Sequence, residues 1–251
     1  MSVRRLLRIA RIARALVGNL VRYGCRRLLG PLTFAQRAQW LQESSCAVLN
    51  AMGLSCLASG PQLRDGMIVA NHLSYLDILA LAAVMPCCFV AKAEVARWPV
   101  LGAFARMAGT IFLDRASMAS AALAANQVSA RLQAGIPVVL FPEGTSTDGA
   151  DVLPFRPRLL KPAIDTGATI TSAAIRYLTA SPAVPSNHER EVCWYGDQRF
   201  AAHLWKILAL ERITVQLRFG ATRIYSDARM AASIAHRETR ALRRFGALTT
   251  F

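Results

Sequence analysis

Asn71-His72-Leu73-Ser74-Tyr75-Leu76-Asp77 sets an imidazole five residues ahead of a carboxylate, the two groups that base-assisted proton transfer needs. Histidine titrates near neutral pH, and a carboxylate on its far ring nitrogen fixes the tautomer and stabilises the imidazolium. A second polar cluster, Phe141-Pro142-Glu143-Gly144-Thr145-Ser146, follows another apolar run. No GxSxG elbow, P-loop or dinucleotide fingerprint accompanies either cluster. The chemistry that fits is removal of a proton from an attacking hydroxyl, as in direct transfer of an acyl group without an acyl-enzyme.

Spacing constrains where these residues sit. In one continuous helix, positions five apart diverge by roughly 140°, so His72 and Asp77 can meet only if His72 lies in the turn before the helix. Ser74-x-x-Asp77 also reads as a capping box, and from sequence both roles for Asp77 stay open. Gly144, Thr145 and nearby backbone N–H groups could hold an anionic headgroup, while Glu143, itself an anion, would orient donors or bind a substrate hydroxyl. An ordinary strand-to-helix turn capped by Thr145 explains the same residues. Arg115, closing Gly109-Thr110-Ile111-Phe112-Leu113-Asp114-Arg115, carries the fixed charge and fork suited to phosphate.

The elements that would position them alternate. Met67 to Ala70 reads as a buried strand delivering His72, and Leu76 to Val84 as the helix behind it. Gly109 to Leu113 suggests a strand, Met118 to Gln133 a helix, and Pro137 to Phe141 a strand ending at Glu143. Ile170 to Tyr177 and Thr214 to Phe219 are further strands, with a basic helix from Ala228 to Phe245. Ser181 to Arg190 reads as a surface loop. The alternation predicts an α/β sheet, whose ligands gather beyond the carboxyl ends of its strands.

Ahead of this core, Arg4 to Leu29 has helical period. Arg4, Arg8, Arg11, Arg14, Arg22 and Arg26 fall on one side, and Leu6, Ile9, Ile12, Ala13, Leu16, Val17 and Leu20 on the other. Such a stripe either lies on lipid or packs on the protein's own core; the absence of any acid before Glu43 favours an anionic lipid surface. Gly30-Pro31 breaks this helix, and Phe34 to Leu57 reads as a second one ending near Gly60-Pro61. We divide the chain into a helical membrane-associating segment, 1–60, and a catalytic domain, 61–251.

Composition narrows the partners. A formal charge of +15 demands an anionic one, but 54% hydrophobic residues and a mean hydropathy of +0.31 favour lipid over nucleic acid. No stacking-aromatic, zinc-finger or helix-turn-helix pattern argues for nucleic acid. The six cysteines form no CxxC pair and the four histidines have no ligand spacing, so no metal is expected and free thiols are. The longest apolar run, Ile78 to Ala91, is broken by Pro86 and is shorter than the roughly 18 to 20 residues that a bilayer span needs. These features predict a protein lying on the cytoplasmic face of the inner membrane.

In order and spacing the motifs resemble the membrane-associated glycerolipid acyltransferases typified by 1-acylglycerol-3-phosphate acyltransferase. Asn71, His72 and Asp77 match that family's NHxxxxD block, Gly109 through Arg115 its second block, and Phe141 through Ser146 its FPEGT[RS] block. Lys92-Ala93-Glu94, Trp98 through Gly102, and Leu153-Pro154-Phe155 are similar to its connecting segments. Cys193 through Asp197, with His203-Leu204-Trp205, looks like a bacterial branch that includes lyso-ornithine-lipid acyltransferases.

The resemblance implies an α/β fold with a mixed sheet flanked by helices and preceded by N-terminal amphipathic helices. It implies His72 as general base, Asp77 as its partner, and Arg115, Glu143, Gly144, Thr145 and Lys92 at the acceptor site. The acyl donor would be a thioester of coenzyme A or acyl carrier protein, with no cofactor. The acceptor would be a lysolipid, 1-acylglycerol-3-phosphate first and lyso-ornithine lipid as the alternative. A non-enzymatic anionic-membrane-binding protein is the reading from a different class. Two departures from the family pattern are Pro157-Arg158 after Phe155-Arg156, and the missing proline in Ile170-Thr171-Ser172-Ala173-Ala174.

Overall fold

The computed structural model describes residues 3–180 and 189–244. Two helices lead in: α1 (Val3–Leu28) and α2 (Phe34–Met52). Thr33 opens α2 with a reciprocal capping box, its hydroxyl accepting the Gln36 N–H while the Gln36 side chain accepts the Thr33 N–H. Gly53 closes α2 in the left-handed region at φ 74°. A side chain there would collide with the Arg8 guanidinium, 2.8 Å from the position of a Cβ.

That cap corrects the expected second helix, which ends at Met52 and not at Leu57. Past Gly53 the chain becomes β1 (Leu54–Ser59), paired in parallel with β7 (Arg212–Arg223) from Leu54↔Ile213 to Ser59↔Arg218. Long-range pairing here overrides the apolar, helix-compatible local pattern.

The other strands are β2 (Met67–Ala70), β3 (Cys88–Lys92), β4 (Ile111–Leu113), β5 (Val138–Leu140) and β6 (Ile170–Ala180). Together they form a seven-stranded sheet in the order β1-β7-β6-β2-β5-β3-β4, parallel throughout except between β6 and β7. A register shift between Thr171 and Ala173 interrupts the β6–β7 ladder in the segment that lacks the family's proline. The sheet is thus mixed, as the resemblance implied.

Alternation along each strand sends side chains to two cores. Ile68, Ala70, Val139, Ile175 and Tyr177 face α2, α3 (Leu76–Val84) and α8 (Phe200–Ile207). Met67, Val69, Val138 and Leu140 face α5 (Met118–Gln133), α6 (Lys161–Asp165) and α9 (Ala228–Arg244). Two short helices, α4 (Leu101–Met107) and α7 (Glu189–Val192), complete the set of α-helices among the described residues. Most of the surface loop expected at Ser181 to Arg190 lies outside the described residues; its last two positions begin α7. The cysteines are unpaired.

Helix α1 meets the rest of the chain by its polar side. Arg8 donates to the carbonyls of Leu208, Leu210 and Glu211 at 3.2, 2.5 and 3.1 Å, closing the end of α8. Trp40 donates its indole N–H to the Asn19 carbonyl, and Arg26 pairs with Glu43 at 3.0 Å. Leu6, Ile9, Val17, Leu20, Val21 and Leu28 are exposed, and only Ile12 of the stripe packs against the sheet core. The apolar stripe therefore faces outward. Arg8 and Arg26, which the helical period set on the polar side with the other arginines, are turned inward because helix-end carbonyls and Glu43 offer them partners.

Candidate active site

β2 and β5 are adjacent and parallel, with Val69 opposite Leu140. Continuing three residues further on each strand brings His72 and Glu143 side by side at the carboxyl edge, as expected for an α/β sheet. Asn71 fixes the exit of β2: its amide N–H donates to the Ile175 carbonyl at 3.2 Å and its oxygen accepts the Ile175 N–H at 2.8 Å. That side chain extends the β2–β6 ladder by one step after the strand has ended.

His72 lies in the turn before α3, with Nδ1 2.8 Å from Asp77 Oδ2. The carboxylate assigns the proton to Nδ1 and leaves the lone pair on Nε2, the atom a general base uses. The His72 side chain is about one-fifth exposed and Asp77 not at all. The imidazole stacks on the Phe141 ring, centroids 4.1 Å apart and planes 12° from parallel. His72 is thus held by a charge at one edge and a ring on one face.

Asp77 does more than pair with His72. Its Oδ2 also accepts the N–H of Leu73 at 2.6 Å and of Ser74 at 2.9 Å, and its Oδ1 accepts the hydroxyl of Tyr177 at 2.5 Å. The capping reading therefore holds in half, beside the pairing with His72: Asp77 takes the Ser74 N–H, but the Ser74 hydroxyl makes no reciprocal bond and is buried without a partner. Tyr177 is a residue that sequence reasoning missed. A tyrosine in an apolar strand is unremarkable until its hydroxyl is found fully buried, where it must have a partner.

Glu143 is buried, and both oxygens are taken by main chain: Oε1 accepts the His72 N–H and Oε2 the Leu153 N–H, each at 2.7 Å. Burial pushes its carboxyl up to about 7, opposed by those two amide donors. Its geometry is that of a brace between loops, and a substrate hydroxyl would have to share oxygens already engaged.

Gly144 turns the chain at φ 78°. Its carbonyl accepts from Arg115 Nη1 at 2.6 Å, and the space a side chain would fill is bordered by Arg156 at 3.0 Å and Arg115 at 3.2 Å. Two guanidiniums thus converge over one glycine. Burial, and then the charge of Arg156, lower the Arg115 pKa, against the pull of Glu94. Lys92 lies at the end of β3 and lines one crevice with Arg115, Leu113 and Phe141. Thr145 is exposed, its hydroxyl 3.5 Å from the Ser146 carbonyl, and residues 141–156 contain no helix for it to cap. Arg156, quoted in sequence only as part of a departure from the family pattern, belongs with Arg115.

These placements put Lys92 and Arg115 on one crevice with Phe141, the ring on which His72 stacks, while Glu143 is buried and Thr145 exposed. Among the described residues no cluster of three metal-ligating side chains occurs.

A mixed α/β sheet carrying a His–Asp pair at its carboxyl edge, with cations on a crevice lined by the ring that stacks on the histidine, defines a class of protein. Comparison places the chain within that class. A family model described as Acyltransferase matches residues 59–176. The 1-acyl-sn-glycerol-3-phosphate acyltransferase of Neisseria gonorrhoeae is 36% identical over 183 residues, spanning 71% of this chain and 68% of that protein. The lyso-ornithine lipid O-acyltransferase of Brucella abortus is 36% identical over 170 residues, 63% of this chain and 64% of that protein. The matched stretches thus span about two thirds of each relative. The 1-acyl-sn-glycerophosphate acyltransferase PlsC of Thermotoga maritima has the same fold, with a TM-score of 0.69 over 98% of this chain and 97% of its own, at 18% identity. The chain belongs to the acyltransferase family.

Proposed function

We propose that the protein transfers a fatty acyl group from an acyl thioester to the free hydroxyl of a lysolipid, with 1-acylglycerol-3-phosphate as acceptor and phosphatidate as product. The observation that carries this reading is the His72–Asp77 pair at 2.8 Å, stacked on a Phe141 ring that lines one crevice with Arg115, beside which Arg156 borders Gly144. Nε2 takes the acceptor's hydroxyl proton as its oxygen attacks the thioester carbonyl. The carbon–sulfur bond then breaks and the thiol leaves with a proton, returning His72 to its neutral form. Asp77 stabilises the imidazolium in between.

Two fixed cations with Lys92 nearby suit a phosphate monoester, which presents several oxygens to bidentate donors. Lyso-ornithine lipid is the second reading, favoured by relatives named for that acceptor at similar identity. Its headgroup carries an amine that two guanidiniums would repel and a carboxylate that one of them would satisfy, a poorer match for paired cations than a phosphate monoester.

The outward stripe of α1 supports work at a membrane surface. Arg4, Arg11, Arg14 and Arg22, all exposed, run along one edge of that stripe, placing cations where anionic headgroups would meet them. No helix among the described residues is long and apolar enough to cross a membrane. The proposed location is thus monotopic, on the cytoplasmic face of the inner membrane, where acyl-coenzyme A and acyl carrier protein are both accessible donors.

The test offers labelled acyl-coenzyme A and acyl carrier protein to wild type and His72→Ala, with lysophosphatidate or lyso-ornithine lipid in parallel. Phosphatidate formed by wild type and reduced by about 10² to 10⁴-fold in His72→Ala is the expected result. Product with lyso-ornithine lipid alone would transfer the assignment to the second acceptor. No His72-dependent product with any pair would overturn the enzymatic reading and favour a membrane-binding protein.

A further inference from the structure

We propose that Tyr177 is a positioning residue of this reaction: its hydroxyl pins Oδ1 of Asp77 and so fixes the carboxylate plane that presents Oδ2 to Nδ1 of His72. The proposal rests on His72 acting as the base. The two oxygens of Asp77 are loaded unequally. Oδ2 accepts from His72 Nδ1, Leu73 N and Ser74 N, whereas the donor on Oδ1 is Tyr177. Both side chains are fully buried. A carboxylate with one oxygen left bare in that interior would pay the desolvation of an unsatisfied charge, and could turn about its last torsion to lower it. Ser74, whose buried hydroxyl has no partner, offers it a competing donor.

Tyr177 is itself held firmly. It lies two residues past Ile175 on β6, hence on the same face, beyond the point where β2 has ended and α3 begins. Its N–H donates to Glu189 at 2.9 Å, and Glu189 is paired at 3.0 Å with Arg243 of α9. Arg243 also donates to the carbonyls of Ile175 and Gly149. The hydroxyl is thus set by β6, α7 and α9, while the imidazole it serves is set by β2 and α3.

A phenol that donates to a carboxylate also lowers its basicity. Removing the hydroxyl leaves Asp77 a stronger acceptor for the His72 Nδ1 proton and favours the imidazolium. Burial pushes the thiols of Cys193 and Cys56, the other titratable neighbours of Tyr177 and Asp77, up to about 12, so they stay neutral across the working range. Glu189 and Arg243, which hold the Tyr177 main chain, and Glu143, on the His72 N–H, are left unchanged by Tyr177→Phe and act alike on both proteins.

The experiment is Tyr177→Phe in the full chain, with the pH profile of kcat/KM, the separate kcat and acceptor KM, and a double-mutant cycle with Asp77→Asn. The expected result is a fall in kcat of about tenfold with acceptor KM unchanged, an acidic limb moved to higher pH, and no further loss from Tyr177→Phe once Asp77 is Asn. An unshifted profile, or an equal loss in the Asp77→Asn background, overturns it. If Tyr177→Phe does not fold, fluorotyrosine at position 177 keeps the ring and strengthens the donor, and the acidic limb must then move to lower pH. Nitrogen-15 NMR of His72, assigned with His72→Ala, reads the same coupling without turnover. Absence of wild-type turnover would therefore sink the acyl-transfer reading, while an unaltered His72 titration in Tyr177→Phe would sink this one.

Discussion

The carboxylate of Glu143 accepts the backbone N–H of His72 at 2.7 Å, so the acid of one motif holds the main chain of the other. With its second oxygen on the Leu153 N–H, Glu143 ties the turn after β2 to the segment carrying Arg156. His72 and the loop carrying Arg156 are thereby tied by one buried side chain, and a shift in either loop is felt by both.

That brace titrates. Its carboxyl lies at about 7 in the folded protein, against an ordinary value of 4.5, because burial disfavours the charge. Between those values the native state binds more protons than the unfolded chain, so this group's contribution to stability is lost as pH rises. The difference between the two values corresponds to about 3 kcal/mol at most. Chemical denaturation of wild type from pH 4.5 to 8 should therefore decline relative to Glu143→Gln, which has no charge to bury. Parallel curves for the two proteins would mean that the amide donors fully offset burial.

The convergence of Arg115 and Arg156 over Gly144 makes a prediction about the acceptor. If both guanidiniums hold phosphate, Arg115→Ala and Arg156→Ala should each raise the acceptor KM by about tenfold or more, since charge-assisted hydrogen bonds contribute roughly 1.5–3 kcal/mol. Donor KM should be little changed. A rise in donor KM with acceptor KM constant would move these cations to the thioester's side of the site.

How much of this was legible in the sequence follows from what kind of interaction sets each feature. Helices α3, α5 and α9 and strand β2 were readable within a residue or two, because their apolar periods and bounding residues are local. β1 was not, since its strand character comes from pairing with β7 over 150 residues away. The His72–Asp77 pair was legible from spacing together with the turn it required. The roles of Glu143 and Tyr177 were not, because they depend on which backbone amides and carboxylates lie within 3 Å after folding. Arg156 was visible as a charge, but only the left-handed turn at Gly144 brings it beside Arg115.

Gly144 should be intolerant of even a methyl group. Alanine at φ 78° costs about 1 kcal/mol of backbone strain, and its Cβ would sit 3.0 Å from Arg156 and 3.2 Å from Arg115. The guanidiniums must then move apart. Gly144→Ala is expected to lower the melting temperature modestly and raise the acceptor KM as much as losing one arginine does. A loss of stability with unchanged KM would show that the arginines bind acceptor without depending on the turn.

The outward stripe of α1 gives the last prediction, and the way α1 is docked dictates how to test it. Deleting Met1 to Leu29 would remove Arg8 from the carbonyls closing α8 and the Asn19 carbonyl from Trp40, so lost membrane binding could reflect a damaged fold. Val17→Asp and Leu20→Asp avoid this, because both side chains are exposed and point away from those contacts. Two carboxylates on the stripe would have to leave water at an anionic interface, at a cost in both solvation and repulsion. Sedimentation with vesicles containing anionic lipid should fall sharply in the double variant while its thermal melt matches wild type. Binding that survives would mean the protein reaches membranes by another face, and that the exposed leucines and valines of α1 serve a different partner.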